Sequence, residues 1–426
     1  MSGIHMTKLK RNSVAIHRVR WASLSVFVVL AVLFVARTGS LRADAQSYLL
    51  VDLGTLGGLN SGAAAINTHD QVVGASQIAG STSWHAFTWT LPDGMTDLGT
   101  LGGTQSSANV VNDHGQVAGN STIADDSSIH GFSWTAAEGI VDMGTLGGSW
   151  SRALALNNRG QIVGQSLLPY PNGYHAFSWT RDGGMLDLGS LGGKNSTAQD
   201  VNDAGQVVGY SEGTGDPNAP HAFLWTEAGG MIDLGTLGGG FSIATAINKL
   251  GQVVGYSSIA GGNVPPYHPF LWTASEGMID LGTLGGNVCE AQAISDRGQV
   301  VGFCNIAGDP NTAPYHAFSW TRETGMIDLG TLGGSTSGVS DFIPHTVNNR
   351  GEVVGFSLTA GVPPSGPTYH AFVWRLADGM SDLGTLGGRS SYANAVDDHG
   401  DIIGSSDIAG NTGTHAVLWQ VVNNSK

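Results

Sequence analysis

Charged residues are scarce in this chain, and cysteines are scarcer still. Only 12% of its 426 residues are charged, and only two are cysteine, whereas soluble domains are roughly 25% charged. Sequence signatures of metal, phosphate and dithiol chemistry are missing, since there is no H-E-x-x-H, P-loop or C-x-x-C. We therefore predict no cofactor, no metal site and no catalytic residue.

Glycine, by contrast, is abundant, at 65 residues, about double the usual share of roughly 7%. Many glycines with few charges are typical of short strands joined by tight turns, or of disorder. Eleven Trp and 41% apolar residues argue against disorder, because that much apolar surface can offset chain entropy. We expect a folded, all-β protein.

The first 45 residues differ from the rest. A basic start, from Lys8 to Arg20, precedes an apolar stretch at 21–36 and the small-residue triplet Ala43-Asp44-Ala45. This layout predicts a secretory signal peptide over residues 1–45, cleaved before Gln46. The alternative is an uncleaved membrane anchor, although the apolar stretch is shorter than the roughly 20 residues of a span.

The remainder of the chain is strongly acidic. The whole chain carries a net charge of −15, and seven of its 18 Lys and Arg residues precede residue 46. An acidic surface repels nucleic acid and anionic lipid. We expect an exported protein that is secreted, on the cell surface or periplasmic. We also expect a monomer that binds neither nucleic acid nor, after signal cleavage, membrane.

Three motifs each occur eight times, which identifies a repeat of roughly 45 residues. D-L-G-T-L-G-G or a variant starts at Asp52, Asp97, Asp142, Asp187, Asp233, Asp280, Asp328 and Asp382. N-x-x-G-Q-V-V-G or a variant starts at Asn67, Asn112, Asn157, Asn202, Asn248, Ser295, Asn348 and Asp397. H-A-F-x-W or a variant starts at His85, His130, His175, His221, His268, His316, His370 and His415.

The spacing of the motifs separates packed elements from surface loops. The His lies 12 residues before the next Asp in all seven cases, and the Asp lies 15 residues before the Asn position in seven of eight. The exception is an insertion at residues 335–345. From the Asn position to the His the distance varies from 18 to 22 residues, so one kind of loop absorbs most of the length variation.

Each repeat reads as four strands, A to D. In the first repeat these are Ala63–Asn67, Gln71–Ser76, His85–Thr90 and Met95–Leu98, with a tight hairpin turn between A and B. Four strands in about 45 residues is the size of a propeller blade. We therefore predict residues 46–426 to be a single β-propeller domain of eight four-stranded blades, with a β-solenoid as the alternative.

The chain ends favour a closed propeller. The segment after the signal peptide, residues 48–54, is a strand D alone, whereas the last repeat stops after its strand C at residues 415–419. The N-terminal strand should complete the last blade, which removes exposed sheet edges.

Taken together, the three motifs resemble the HAF repeat family of probable extracellular repeat proteins, over residues 48–419. Mild departures are Gly131 and Pro269 in place of the Ala, and Val417 in place of the Phe. The resemblance implies a bacterial exported or cell-surface protein and implies no activity.

The repeated His and Asp residues invite a metal or catalytic interpretation, but repetition argues against it. A residue present in every blade serves each blade, whereas an active site needs one constellation. We expect these His to satisfy backbone or turn groups and the Asp to anchor turns. An enzyme would have to use unrepeated residues near the axial channel.

Function is therefore expected where the repeat pattern breaks. The B–C and D–A loops should share one face, which we expect to bind an extracellular glycan or protein. We expect the insertion to join this face. Aromatic residues also lie there, just before the motif His: Trp84, Tyr174, Tyr267, Tyr315 and Tyr369. Rigid loops bearing Tyr make good binding surfaces. The alternatives are that these rings pack within the fold, or that the protein is an extracellular hydrolase or lyase acting on a polymer.

The two cysteines flank one A–B hairpin. Cys289 lies six residues before Ser295, and Cys304 lies six residues after Gly298. In an antiparallel hairpin without a bulge, equal offsets place two residues opposite each other. We therefore predict a Cys289–Cys304 disulfide, which suits an exported protein.

Overall fold

A computed structural model describes residues 46–213, 219–261, 265–307, 314–340, 345–361, 366 and 368–422. The predicted signal peptide lies outside these residues. Regular structure in the described ranges is β-strand, apart from one 3-10 turn at Ala124–Asp126. None of these ranges contains a helix that is long and apolar enough to cross a bilayer.

Every repeat contributes strands A to D in chain order. Repeats 1 and 2 comprise β2 Gly57–Ile66, β3 Val72–Ile78, β4 Trp84–Thr90, β5 Gly94–Gly99, β6 Gly102–Val111, β7 Val117–Ile123, β8 Ile129–Thr135 and β9 Gly139–Asp142. Repeats 3 and 4 comprise β10 Ser151–Leu156, β11 Ile162–Leu167, β12 Tyr174–Thr180, β13 Gly184–Asp187, β14 Gly192–Val201, β15 Val207–Gly213, β16 His221–Thr226 and β17 Gly230–Asp233.

The second half of the chain repeats the same order. Repeats 5 and 6 comprise β18 Gly238–Ile247, β19 Val253–Ile259, β20 Tyr267–Thr273, β21 Gly277–Asp280, β22 Gly285–Ile294, β23 Val300–Ile306, β24 Tyr315–Thr321 and β25 Gly325–Asp328. Repeats 7 and 8 comprise β26 Gly333–Gly338, β27 Val353–Thr359, β28 Tyr369–Arg375, β29 Gly379–Asp382, β30 Gly387–Val396, β31 Ile402–Ile408 and β32 Thr414–Val422, with β1 Ser47–Gly54 as the strand D of repeat 8.

The predicted all-β chain of repeated four-stranded sheets is confirmed. The four strands of each repeat pair in the order A-B-C-D, and all of these pairings are antiparallel. Repeats 5 and 6 are joined into one eight-stranded sheet by a single parallel bridge between Tyr267 and Val288.

Strand A is longer than predicted, because the last two glycines of the D-L-G-T-L-G-G motif belong to it. In repeat 1 it starts at Gly57, which pairs with Ile78, rather than at Ala63. Gly57 has a φ of 97°, a conformation that glycine adopts readily. A Cβ on the next residue, Gly58, would lie 2.4 Å from the Gln77 side chain, so the close approach of strand B requires glycine.

The N-terminal strand lies beside the last strand of the chain, as predicted. β1 pairs antiparallel with β32 from Ser47 opposite Val422 to Gly54 opposite Ala416. Repeat 8 therefore obtains its fourth strand from the start of the described chain.

The apolar core is distributed between repeats. The described residues form eight buried clusters, and each cluster combines side chains from two consecutive repeats. One of them joins repeat 8 to repeat 1, with Leu418 and Ile403 packed against Phe87 and Val72. The motif Phe is fully buried in the seven repeats that have it, so this ring fills the space between sheets.

Two recurring polar side chains also connect consecutive repeats by hydrogen bonds. The Asn67 side chain accepts hydrogen bonds from the N–H groups of its own turn and donates to the carbonyl oxygen of Asn112 in the next repeat, at 2.9 Å. The Ser106 hydroxyl accepts the Ala86 N–H and donates to the Gly99 carbonyl. Such bonds leave few buried polar groups unsatisfied.

Candidate functional site

Each motif His is bonded to the motif Asp that closes its own sheet. His85 Nδ1 lies 2.8 Å from Asp97 Oδ2, and the Asp97 carboxylate also accepts the N–H of Gly99. The other seven repeats have the same His–Asp pair, which in repeat 8 joins His415 to Asp52. The turn-anchoring role predicted for the Asp is therefore present, but the His binds a carboxylate rather than a backbone or turn group.

The cysteines form the predicted disulfide. Cys289 lies directly opposite Cys304 on strands β22 and β23, with the two Cα atoms 4.1 Å apart. Both residues are fully buried.

Four of the five predicted binding-face aromatics make contacts with other aromatic rings. Tyr174 lies 5.9 Å from Trp150, and Tyr315 lies 5.6 Å from Phe303, measured between ring centroids. Two further clusters each contain three rings, namely Phe241, Tyr256 and Tyr267 in repeat 5, and Phe356, Tyr369 and Tyr392 across repeats 7 and 8. All these rings are partly exposed, so they pack within the fold and also present apolar surface.

The fifth aromatic, Trp84, lies in a different setting. Its side chain borders a groove of about 340 Å³ where repeat 8 meets repeat 1. The groove is also lined by the small or polar residues Asn60, Gly62, Ala75, Ser405 and Thr414. Backbone N–H groups cross this junction, because Ala416 donates to the Ser61 hydroxyl and Thr414 donates to Asn60 Oδ1, at 2.8 and 3.0 Å.

A larger cleft of about 510 Å³ lies at the A–B and C–D turns of repeats 6 and 7. Its floor holds unrepeated charged residues. The Arg375 guanidinium donates to the buried Glu352 carboxylate, to Gln46 and to the Tyr48 hydroxyl. Burial raises the pKa of Tyr48 to about 12, although Arg375 acts to lower it. Arg375 and Glu352 are paired with each other. Because Arg375 also bonds to Gln46 and Tyr48, this cluster holds the N-terminal strand against repeat 7.

The described end of the insertion also lies at the A–B turns. The His345 carbonyl accepts the N–H of Val396, the last residue of β30. This position corrects the prediction that the insertion joins the B–C and D–A loop face. Residues 341–344 of the insertion lie outside the described ranges.

One group of side chains has the geometry to hold a cation. Ligand atoms of Asp70, Asp397 and His399 all lie within 4.8 Å of one another. No other feature of the described residues points to an ion there, so we assign none. The prediction of no metal site stays a prediction.

The sequence also contains a G-x-S-x-G motif, at Gly209–Gly213. In hydrolases the Ser of this motif is exposed on a turn between a strand and a helix. Here Ser211 lies within strand β15, is fully buried, and accepts the N–H of Leu191. It therefore has no access to a substrate.

Comparison with known proteins shows similarity in fold. No protein-family model matches the chain, and no curated protein matches it. An oligogalacturonate lyase from Vibrio parahaemolyticus is 11% identical with a TM-score of 0.47, covering 88% of this chain and 94% of that one. The β-propeller domain of the trilobed protease from Pyrococcus furiosus is 11% identical with a TM-score of 0.45, covering 73% and 92%. Similarity this distant carries no information about activity.

Proposed function

We propose that the eight repeats are the blades of a closed β-propeller of the HAF repeat type. Three observations support closure. β1 supplies the fourth strand of repeat 8, a core cluster joins repeat 8 to repeat 1, and the Ala416 N–H donates to Ser61. The last bond repeats the one between Ala86 and Ser106 inside the chain, at the same 2.8 Å.

The protein is exported and acts outside the cytoplasm. The sequence of residues 1–45 supports this proposal, and so does the buried Cys289–Cys304 disulfide, since disulfides persist in oxidising compartments. Cell fractionation with mass spectrometry of the purified protein tests it. The expected product starts at Gln46 and is recovered outside the cytoplasm, whereas an intact N-terminus in the cytosolic fraction would contradict export.

Its function is to bind a glycan or a protein through the face formed by the B–C and D–A loops. The observation that carries this proposal is the row of partly exposed aromatic clusters in repeats 5 to 8, at equivalent positions of neighbouring sheets. Rings held by other rings lose little conformational entropy when a partner binds. We propose that the protein acts as a monomer and has one such binding face.

Binding can be tested by screening the purified protein against immobilised glycans and extracellular proteins. For any ligand found, the triple variant Tyr267→Ala, Tyr315→Ala and Tyr369→Ala should weaken binding by about tenfold or more. Leu91→Ala is a suitable control, because Leu91 is an exposed apolar residue in a C–D turn on the opposite side. Unchanged affinity in a folded triple variant would refute this face as the site.

A further inference from the structure

The groove beside Trp84 lies at the junction of repeats 8 and 1. At the equivalent place between repeats 7 and 8, aromatic side chains fill the space. There, the rings of Phe356, Tyr369 and Tyr392 lie within 6 Å of one another, at centroid distances of 5.5 to 5.9 Å. Their equivalents one junction later, counted from the motifs, are Ser405, Thr414 and Gly62.

The exchange of three aromatic rings for Ser, Thr and Gly explains why the groove exists. The backbone is the same at both junctions, since Ser405 pairs with Tyr392 and Ala75 pairs with Gly62 across their A–B hairpins. A Cβ atom placed on Gly62 would meet nothing within 4 Å. The groove is thus a volume that aromatic side chains fill at the preceding junction and leave empty at this one. Its volume of about 340 Å³ falls within the range of ligand pockets.

The lining of the groove limits the chemistry of a ligand. None of its lining residues is ionisable, so a phosphate, a carboxylate or a metal ion would find no charged partner there. Trp84 provides a flat apolar wall. Within the described part of the chain, the Ser405 hydroxyl and the Trp84 indole N–H have no hydrogen-bond partner, so both are available to a ligand.

We propose that this groove binds one ring of a neutral sugar, with the ring stacked on Trp84. A pyranose has an apolar face of C–H groups, which suits an indole, and an edge of hydroxyls, which suits Ser405 and the indole N–H. The inference rests on the proposed binding function and adds the ligand class and the site. Because the groove lies between the first and last repeats, a bound sugar should also hold this junction together.

The proposal can be tested by calorimetric titration of the purified protein with neutral hexoses, N-acetylglucosamine and their α- and β-linked trisaccharides. Trp84→Ala should lower the affinity by about tenfold or more. Gly62→Tyr introduces the ring that Tyr392 supplies at the preceding junction, and it should abolish binding without loss of thermal stability. The control is Leu91→Ala, because Leu91 is an exposed apolar residue in a C–D turn, away from the groove and from the proposed binding face.

The possible results separate this inference from the proposed function. Sugar binding that is lost in Gly62→Tyr and retained in Leu91→Ala supports the groove. Sugar binding that survives Gly62→Tyr, or that is lost only when Tyr267, Tyr315 and Tyr369 are removed, overturns the groove and leaves the binding function standing. Binding of a protein but of no sugar also overturns the groove alone, whereas binding of neither overturns both.

Discussion

At the scale of single residues, the repeat uses polar side chains as connectors, and its exceptions are informative. Asp200 stands where other repeats have Ala, for example Ala155 and Ala246. Its carboxylate accepts the N–H of Val201 and, at 2.9 Å, the N–H of Ile247 in the next repeat. Burial raises the pKa of Asp200 to about 6, although these two N–H groups act to lower it.

This raised pKa predicts a pH dependence of stability. The folded protein holds the Asp200 proton more tightly than the unfolded chain, so stability contributed by this group falls as pH rises from about 4 through about 6. Replacing Asp200 with Asn removes the titration. The unfolding free energy of Asp200→Asn relative to the parent should therefore rise by about 1–2 kcal/mol between pH 4 and pH 8.

Urea titrations at the two pH values would measure this difference. Asp93→Asn, at an exposed turn, is the control for replacing a carboxylate elsewhere in the protein. A difference between Asp200→Asn and the parent that stays constant with pH, or that falls as pH rises, would show that Asp200 is not a buried, proton-linked group.

At the scale of the hairpin, two departures from the repeat are connected. In seven repeats a buried Ser, such as Ser106, accepts an N–H from the strand C of the preceding repeat. The strand C that precedes repeat 6 belongs to repeat 5, and it has Pro269 where the other repeats have the N–H donor. Proline has no N–H to donate. The acceptor is not needed there, and Cys289 occupies its place.

The disulfide should stabilise repeat 6 locally. It closes a loop with a sequence separation of 15 residues, for which chain entropy predicts about 3 kcal/mol. Cys289→Ser with Cys304→Ser gives the pair of residues found at these positions in the other repeats, and it should lower the unfolding free energy by about 2–3 kcal/mol. Denaturant unfolding and hydrogen exchange would measure the loss, and exchange should rise mainly in residues 285–306.

Alkylation of the parent protein provides the control for this prediction. Parent protein purified without reductant should have no alkylatable thiol. Two reactive thiols, or a double variant as stable as the parent, would show that the bond does not form or does not contribute.

Much of the hairpin architecture could be predicted from the sequence, because invariant spacing reports packed elements. The turn after Asn67 and the strand order followed from it. The Cys289–Cys304 pairing was predicted for a hairpin without a bulge; the pairing is confirmed, but that premise was wrong, because the register shifts between Ala291 and Ala293. The candidate site was harder to predict, since the groove depends on which side chains meet across two repeats far apart in the chain. Trp84 was found as an aromatic residue, but its small neighbours Gly62 and Ser405 carry no sequence signal of their own.

The His–Asp pairs show the same limit. The constant distance of 12 residues between the two motif residues indicated a fixed structure, and it could have suggested direct contact. The register of strands C and D, with Phe87 opposite Asp97, is needed to see that His85 reaches that carboxylate.

At the scale of the whole molecule, the N-terminal strand connects the two ends of the repeat array. Asp52 binds His415, and Tyr48 and Gln46 bind Arg375 of repeat 7. These contacts add to the strand pairing of β1 with β32. The closed propeller that we propose would depend on this short segment for the integrity of its last blade.

Deletion of residues 46–56 should therefore destabilise the entire domain. The unfolding transition should move several degrees lower or lose its cooperativity, because a loss of several kcal/mol shifts the Tm by roughly 2–4 °C per kcal/mol in domains of about 150–250 residues and by less in larger ones. Protein starting at Gln46 is the control and should match the parent after signal removal. Calorimetry that shows an unchanged melting temperature would contradict the closing role of β1.

The most direct test of the account is an experimental structure of the protein from Gln46 onward. We predict eight four-stranded blades in a closed ring, with residues 47–54 paired antiparallel to residues 416–422 and the Ala416 N–H bonded to Ser61. A ring of seven blades, an open array, or a structure in which residues 48–54 pair only with strands of residues 61–90 would contradict it.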